Sequence, residues 1–210
     1  MSKLLEPAEG WQRSSKPRIA PASKKDNLLT RAVLLGIEKV GDLSAANLWL
    51  LLMNNSRLLP HFVNYAMKLM PGGELPRVDT ELVILRIGWK LRCRYEWGQH
   101  VDIGVRAGVT RAQIHAVAAF GADGEISEGV QDEVLTTIQV LMLRAVDEFL
   151  ASACVSDETT QALSEHLKPA LLTELLLLIG WYQGLAGVLN TSGIELDEVL
   201  EKVVAEYTAV

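Results

Sequence analysis

The sequence predicts an all-α protein of about 8–10 helices, and three observations carry that expectation. Apolar residues recur at three-to-four spacing along almost the whole chain. The breaks between periodic stretches carry capping residues, Ser, Thr or Asp before and Gly after. No stretch alternates in period two with β-branched residues between hairpin turns.

The elements follow in order. Residues 1–22 read as an extended, weakly ordered arm, since prolines stand at 7, 17 and 21 and no apolar period develops. The remainder, 23–210, reads as a single helical domain. Ser23 can cap a helix through about Val40, with Leu28, Leu29, Ala32, Val33 and Ile37 on one face. Ser44 opens a short helix through Leu48 to Met53. Ser56 opens another that reaches Met70, with Pro60 in its first turn, where a missing N–H costs least. Pro71-Gly72-Gly73 breaks the chain.

Asp79 is the expected cap of a helix from Thr80 to about Cys93, and the next runs from Arg94 to Ala107 and stops at Gly108. Thr110 starts a helix that ends before Gly121. A loop from Gly121 to Gly129 precedes what reads as the longest helix, Val130 to Ala153. Ser156 begins a helix whose Asp157 and Glu158 suit the positive end of the helix dipole. Pro169 leads into an apolar helix ending near Asn190, and Glu195 to Tyr207 is a last amphipathic one.

Composition excludes several function classes. The chain has 210 residues, 49% hydrophobic and 22% charged, an ordinary globular balance. Its net charge of −6 opposes general nucleic-acid binding, which needs a basic surface against phosphate. Cys93 and Cys154 make no disulfide framework, so a reducing, cytoplasmic setting is expected. The most apolar window, Leu171 to Leu189, is interrupted by Thr173, Glu174 and Gln183, so no membrane span is expected. Mean hydropathy is +0.18, an apolar excess that suits buried helix and a subunit interface. One internal echo stands out: Thr80 to Trp89 resembles Thr173 to Trp181, one residue shorter. Two buried helices of like composition explain it as well as a duplication does. Because the second copy has no counterpart of the polar residues after Trp89, chemistry is assigned to the first.

Those residues are Cys93-Arg94-Tyr95-Glu96-Trp97-Gly98-Gln99-His100. On a helix, Cys93, Trp97, Val101 and Val105 form an apolar stripe with Glu96 and His100 one turn apart along its edge. A carboxylate four residues before a histidine can hydrogen-bond the imidazole, fix its tautomer and favour its charged form, as a general acid or base requires. Glu81, on the preceding helix, reaches the same point if the two helices cross there. The plainer alternative is a solvated Glu–His surface pair worth a few tenths of a kcal/mol, with Cys93 and Trp97 as core.

Elsewhere the signals are weaker. His61 follows a helix-start proline, His115 reads as half-buried, and His166 lies on an acidic helix. No two histidines stand at metal-ligand spacing and there is no Cys-x-x-Cys pair, so neither a metal nor another cofactor is expected. No glycine-rich phosphate loop and no Gly-x-Ser-x-Gly appear.

Glu81 to Arg86, Tyr95-Glu96-Trp97-Gly98-Gln99-His100 and Ala107-Gly108-Val109-Thr110 together resemble the carboxymuconolactone decarboxylase family, which includes the alkyl hydroperoxidase D proteins. Leu185 to Asn190 and Gly193 to Asp197 look like the C-terminal part of longer members. The resemblance implies the alkyl hydroperoxidase D-like helical bundle, assembly as a trimer or hexamer, and a small-molecule substrate. In the peroxidase branch a glutamate, a Cys-x-x-Cys pair and a later histidine act together. Glu81, Cys93 and His100 match, but the second cysteine position holds Glu96. Without a resolving thiol, dithiol peroxidase chemistry is not expected.

The decarboxylase branch implies a cofactor-free lyase of aromatic breakdown acting on a lactone acid. In it His100 is the acid, Glu96 its orienting partner and Glu81 a relay or second orienter. Cys93 completes the catalytic candidates, Tyr95 and Trp97 are the substrate-binding ones, and Arg86 or Arg94 can meet a substrate carboxylate if not simply solvated. A single-cysteine peroxidase and a non-catalytic binder of small ligands stand as alternatives.

Overall fold

The computed structural model describes residues 3–22, 47–121 and 134–210. The helix expected from Ser23 to Val40, the opening at Ser44, and the loop beyond Gly121 lie outside them. Among the described residues there are nine α-helices: α1 (Asn47–Leu52), α2 (Leu59–Leu69), α3 (Arg77–Lys90), α4 (Arg94–Ala107), α5 (Arg111–Ala119), α6 (Thr137–Ser152), α7 (Asp157–Ser164), α8 (Pro169–Ser192) and α9 (Glu201–Thr208). Their β-type pairing is limited to one isolated bridge, Leu4 to Ala209. The fold is all-α.

α3 is the axis of the molecule, in contact with α4, α5, α6 and α8. Its residues from Thr80 to Gly88 are all buried: Leu82, Val83, Ile84, Leu85 and Ile87 face the cores, while the polar groups of Thr80, Glu81 and Arg86 meet Pro76 O, His100 and Asp147. Leu82 and Leu85 face one core, with Trp97, Val101, Ile114 and Val117. Val83, Ile84 and Ile87 face a second, with Met142, Val146, Leu175 and Ile179. A helix that serves two cores is rigidly held, and side chains projecting from it are well placed for chemistry.

Several boundaries differ from expectation, each for a local reason. α3 begins at Arg77 behind Pro76, not behind Asp79, whose carboxylate instead accepts a hydrogen bond from Gln139 Nε2 at 2.7 Å. α3 ends at Lys90, because Arg92 turns through a positive φ of 54° and Cys93 becomes the residue that precedes α4. α2 begins at Leu59, since a short 3-10 turn at Met53–Asn55 extends α1 and Ser56 continues that turn. α6 begins at Thr137, where Thr136 and Gln139 form a reciprocal capping box. The longest helix among the described residues is therefore α8, with 24 residues. The last helix is shortened in the same way, as a 3-10 turn at Glu198–Leu200 precedes α9.

α4 and α5 have the expected starts and stops. Gly108 closes α4 at φ +103°, a conformation costly for any residue with a Cβ, and Thr110 with Gln113 caps α5. The α3–α4 hairpin is tight. Cys93 N–H donates to Gly88 O at 2.8 Å, and a Cβ on Gly88 would stand 3.1 Å from Trp97 N.

Residues 3–22 run extended across the helices. Leu5 N–H bonds Thr208 O at 2.8 Å, Arg18 N–H bonds Ser192 O at 2.7 Å, and Ala22 N–H bonds Leu50 O at 2.9 Å. Trp11 packs on Trp89 and Trp97 with ring centroids 5.5 and 5.9 Å away. α8 is long and apolar enough, by length and composition alone, to cross a membrane. In this fold its Leu175, Leu178, Ile179, Tyr182, Ala186 and Leu189 are buried, while Leu177 and Val188 are exposed.

Candidate active site

The α3–α4 hairpin brings Glu81 and His100 together. His100 Nδ1 lies 2.7 Å from Glu81 Oε2, with both residues buried. An ionised carboxylate only accepts, so Nδ1 carries the hydrogen and Nε2 is the atom left to exchange a proton. Arg77, one turn before Glu81, places Nη2 2.8 Å from Glu81 Oε1. That contact is an ion pair by distance but is not aligned as a hydrogen bond, and Glu81 Oε1 has no hydrogen-bond partner among the described residues. Arg77 thus supplies countercharge to a carboxylate that burial would otherwise penalise.

Tyr182 of α8 completes the group. Its ring meets the His100 imidazole edge-on, with centroids 5.2 Å apart and planes at 86°. Burial raises its phenol well above the usual tyrosine range. The Glu81 and Glu96 carboxylates add to that, and Arg77 opposes it. The hydroxyl therefore keeps its proton. Sequence reasoning missed both Tyr182 and Arg77, and signals for each exist. Tyr182 is a polar-tipped aromatic on the core-facing spacing of Leu175, Ile179 and Ala186, and Arg77 stands four residues before Glu81. Tyr182 directly follows the second copy of the internal echo, which ends at Gly180-Trp181.

Glu96 does not hold His100, contrary to the one-turn spacing on α4. The imidazole turns its Nδ1 to α3, and both Glu96 oxygens are buried without a hydrogen-bond partner among the described residues. Burial pushes the Glu96 carboxyl well above the usual carboxylate range, which favours its neutral form. Cys93 packs among Leu51, Tyr95, Ala186, Leu189 and Ile194. Burial pushes its thiol far up and the neighbouring Glu96 adds to this, outweighing the Glu96 and Tyr95 backbone N–H groups that favour a thiolate. Cys154 is exposed, and both thiols are free.

Tyr95 lines the cavity described below, and Trp97 Nε1 is buried without a hydrogen-bond partner among the described residues. The Tyr95 hydroxyl donates to Asp197 Oδ2 at 2.9 Å and accepts from the Leu48 N–H at 2.9 Å, so it bolts α4 to α1 and to the segment before α9. Trp97 stacks against Trp89 with centroids 5.0 Å apart, inside the first core. Neither candidate arginine is simply solvated or free for a substrate. Arg86 is buried, doubly bonded to Asp147 at 2.8 and 2.6 Å, and donates to Val117 O. Arg94 is paired with Glu201 at 2.6 Å. His115 is half-buried, as expected, with Nε2 3.2 Å from Tyr207 O.

Among the described residues no group of three or more His, Cys, Asp or Glu could hold a metal ion. A cavity of about 350 Å³ opens between the arm and the end of α8, lined by Gln12, Arg13, Arg94, Asn190 and Glu201 among others. It reaches neither Glu81 nor His100, and its arginines are already paired with Glu6 and Glu201.

Residues 57–126 match the carboxymuconolactone decarboxylase family. That match covers a third of the chain. The matched segment holds Arg77, Glu81, Cys93, Glu96 and His100 but stops well short of Tyr182. Solved structures share this fold over nearly the whole chain. A peroxidase-related protein from Silicibacter sp. TM1040 superposes with a TM-score of 0.72 at 14% identity, covering 89% of this chain and 96% of that one. The debrominase Bmp8, solved as a Cys-to-Ala variant with 2,3,4-tribromopyrrole, gives 0.73 at 14% identity, covering 92% and 99%. An alkylhydroperoxidase AhpD core protein from Ralstonia eutropha JMP134 gives 0.66 at 16% identity, covering 90% and 93%. No curated protein matches the chain.

Proposed function

We propose that the protein is a cofactor-free acid/base enzyme, a lyase acting on a small lactone or carbonyl acid, with His100 as the proton donor. The observation that carries this reading is the buried Glu81–His100 pair at 2.7 Å, countercharged by Arg77, while burial disfavours the thiolate of Cys93. Decarboxylation breaks the bond between the ring carbon and the carboxylate, and CO₂ departs. The bonding electron pair moves into the conjugated lactone carbonyl as a dienolate. The imidazolium Nε2–H then returns a proton to carbon, leaving neutral His100, which is recharged from solvent. Glu81 holds the Nδ1–H throughout, so the ring neither flips nor changes tautomer.

The family match over residues 57–126 supports this reading at the level of the family, which its decarboxylase and peroxidase branches share. A planar five-membered ring bound by the structurally similar debrominase Bmp8 is of the same size class as a lactone acid. A thiol mechanism draws support from Cys93 at the N-terminus of α4, where backbone N–H groups favour a thiolate. The burial of that sulfur and the carboxyl of Glu96 beside it count against it.

Incubation with 4-carboxymuconolactone in D₂O tests the reading. It expects CO₂ release and one deuterium on the protonated carbon of the product. Absence of enzyme-dependent CO₂ at every pH from about 5 to 9 would remove this substrate and leave a binding role to be tested.

A further inference from the structure

Four buried polar atoms of the α3–α4 hairpin lack a hydrogen-bond partner among the described residues: Arg77 Nη1, Glu81 Oε1 and both oxygens of Glu96. Buried side-chain polar atoms are normally satisfied, and a group of them at one place asks for a ligand. They are not random leftovers of poor packing. Arg77 Nη2 is 2.8 Å from Glu81 Oε1, Glu81 Oε2 is 2.7 Å from His100 Nδ1, the His100 ring meets Tyr182, and Glu96 stands one turn before His100 on α4, so these groups form one connected cluster. The atoms also differ in kind. Arg77 Nη1 is a charged donor, whereas a carboxyl kept neutral offers one O–H to donate.

From this arrangement we infer that Arg77 and Glu96 form a two-ended subsite for a small planar acid bearing both a carboxylate and a carbonyl oxygen, laid against Tyr182. Arg77 Nη1 takes the ligand carboxylate while Nη2 stays on Glu81. Glu96 donates its O–H to the carbonyl oxygen, where enolate charge collects when a proton or CO₂ leaves the adjacent carbon. A neutral acid is the better donor there, because an ionised carboxylate would repel the developing charge. The inference rests on the proposed acid/base reading for its substrate class, but binding is tested apart from turnover.

The probe is coumalate (2-oxopyran-5-carboxylate), a planar ring with both oxygens, beside furan-2-carboxylate, which has the carboxylate alone. Titration calorimetry with wild-type protein should show coumalate binding more tightly. Arg77→Met should weaken both ligands by about 10-fold or more, the loss of a charge-assisted contact. Glu96→Leu should weaken coumalate by about 10-fold and leave furan-2-carboxylate within about twofold, and Glu96→Gln, which keeps a donor, should restore most of the loss. Circular dichroism establishes that each variant is folded, and the Glu96→Gln against Glu96→Leu contrast still decides if Arg77→Met is not. No binding of coumalate to wild type, or wild-type affinity for it in both Arg77→Met and Glu96→Leu, overturns the subsite. Arg77-dependent binding without decarboxylation would keep the subsite and overturn the reaction. Turnover with coumalate affinity unchanged by both variants would do the reverse.

Discussion

Glu81 and His100 stand nineteen residues apart in sequence and 2.7 Å apart in space, joined across a helical hairpin whose closeness depends on Gly88. The pair is fixed from the carboxylate side, by a helix buried on both faces. Glu81→Gln leaves the volume unchanged but removes the charge that orients the imidazole. It should lower kcat on a turned-over lactone acid by at least about 10-fold, with far-ultraviolet dichroism unchanged. Unaltered kcat in a folded variant would show that the pair is structural.

Cys93 should be inert in the native state. Its thiol lies in an apolar cluster and burial disfavours the thiolate, so iodoacetamide should label Cys154 quickly and Cys93 only as the protein unfolds. Peptide mapping after brief alkylation measures this. Equal labelling of both cysteines under native conditions would revive a thiol role.

Glu96 sets a stability dependence whose sign is fixed by its burial. Its folded pKa is raised above the ordinary 4.5, so the native state holds a proton that the unfolded chain releases as pH rises. The contribution is therefore fully present below about 4.5 and is lost progressively as pH climbs toward the folded value. Glu96→Gln, neutral at every pH, should be more stable than wild type at pH 8 and lose that advantage on acidification. Urea midpoints at the two pH values test it, and a gap that widens toward acid would contradict the assignment.

Much of this was legible in sequence, and the failures are specific. The helical class, the α4 boundaries and the Thr110 cap follow from apolar period and local capping, which depend on neighbours in the chain. His100, Glu81, Glu96 and Cys93 stand out because polar groups are rare in so apolar a region. What the sequence hid was partnership. Glu96 has the right spacing for His100 on one helix, yet the imidazole turns to α3, because Glu81 reaches it with a carboxylate already countercharged by Arg77. Arg86 looked solvated because charge is usually exposed, but Asp147, sixty-one residues away, makes its burial tolerable. Tyr182 was hidden by distance, since nothing local ties α8 to His100.

The Arg86–Asp147 pair makes a prediction of its own. Both side chains are buried, so Asp147→Ala strands a guanidinium whose remaining support is Val117 O and the Phe120 ring. The cost should be about 3–5 kcal/mol in denaturant unfolding. A loss below about 1 kcal/mol, the range of a surface pair, would mean that the arginine finds another partner or solvent.

Trp11 anchors the arm between Trp89 and Trp97. Trp11→Ala should cost about 1–3 kcal/mol and red-shift the fluorescence of the remaining tryptophans as that face gains water. An unshifted spectrum would mean that the arm does not cover these rings in solution.

The central claim, chemistry by His100 without a thiol, is tested most directly by ultraviolet turnover of 4-carboxymuconolactone with wild type, His100→Ala and Cys93→Ser side by side. The account predicts that His100→Ala loses at least about 100-fold in rate while Cys93→Ser keeps most of it. Loss in Cys93→Ser with activity retained in His100→Ala would contradict it.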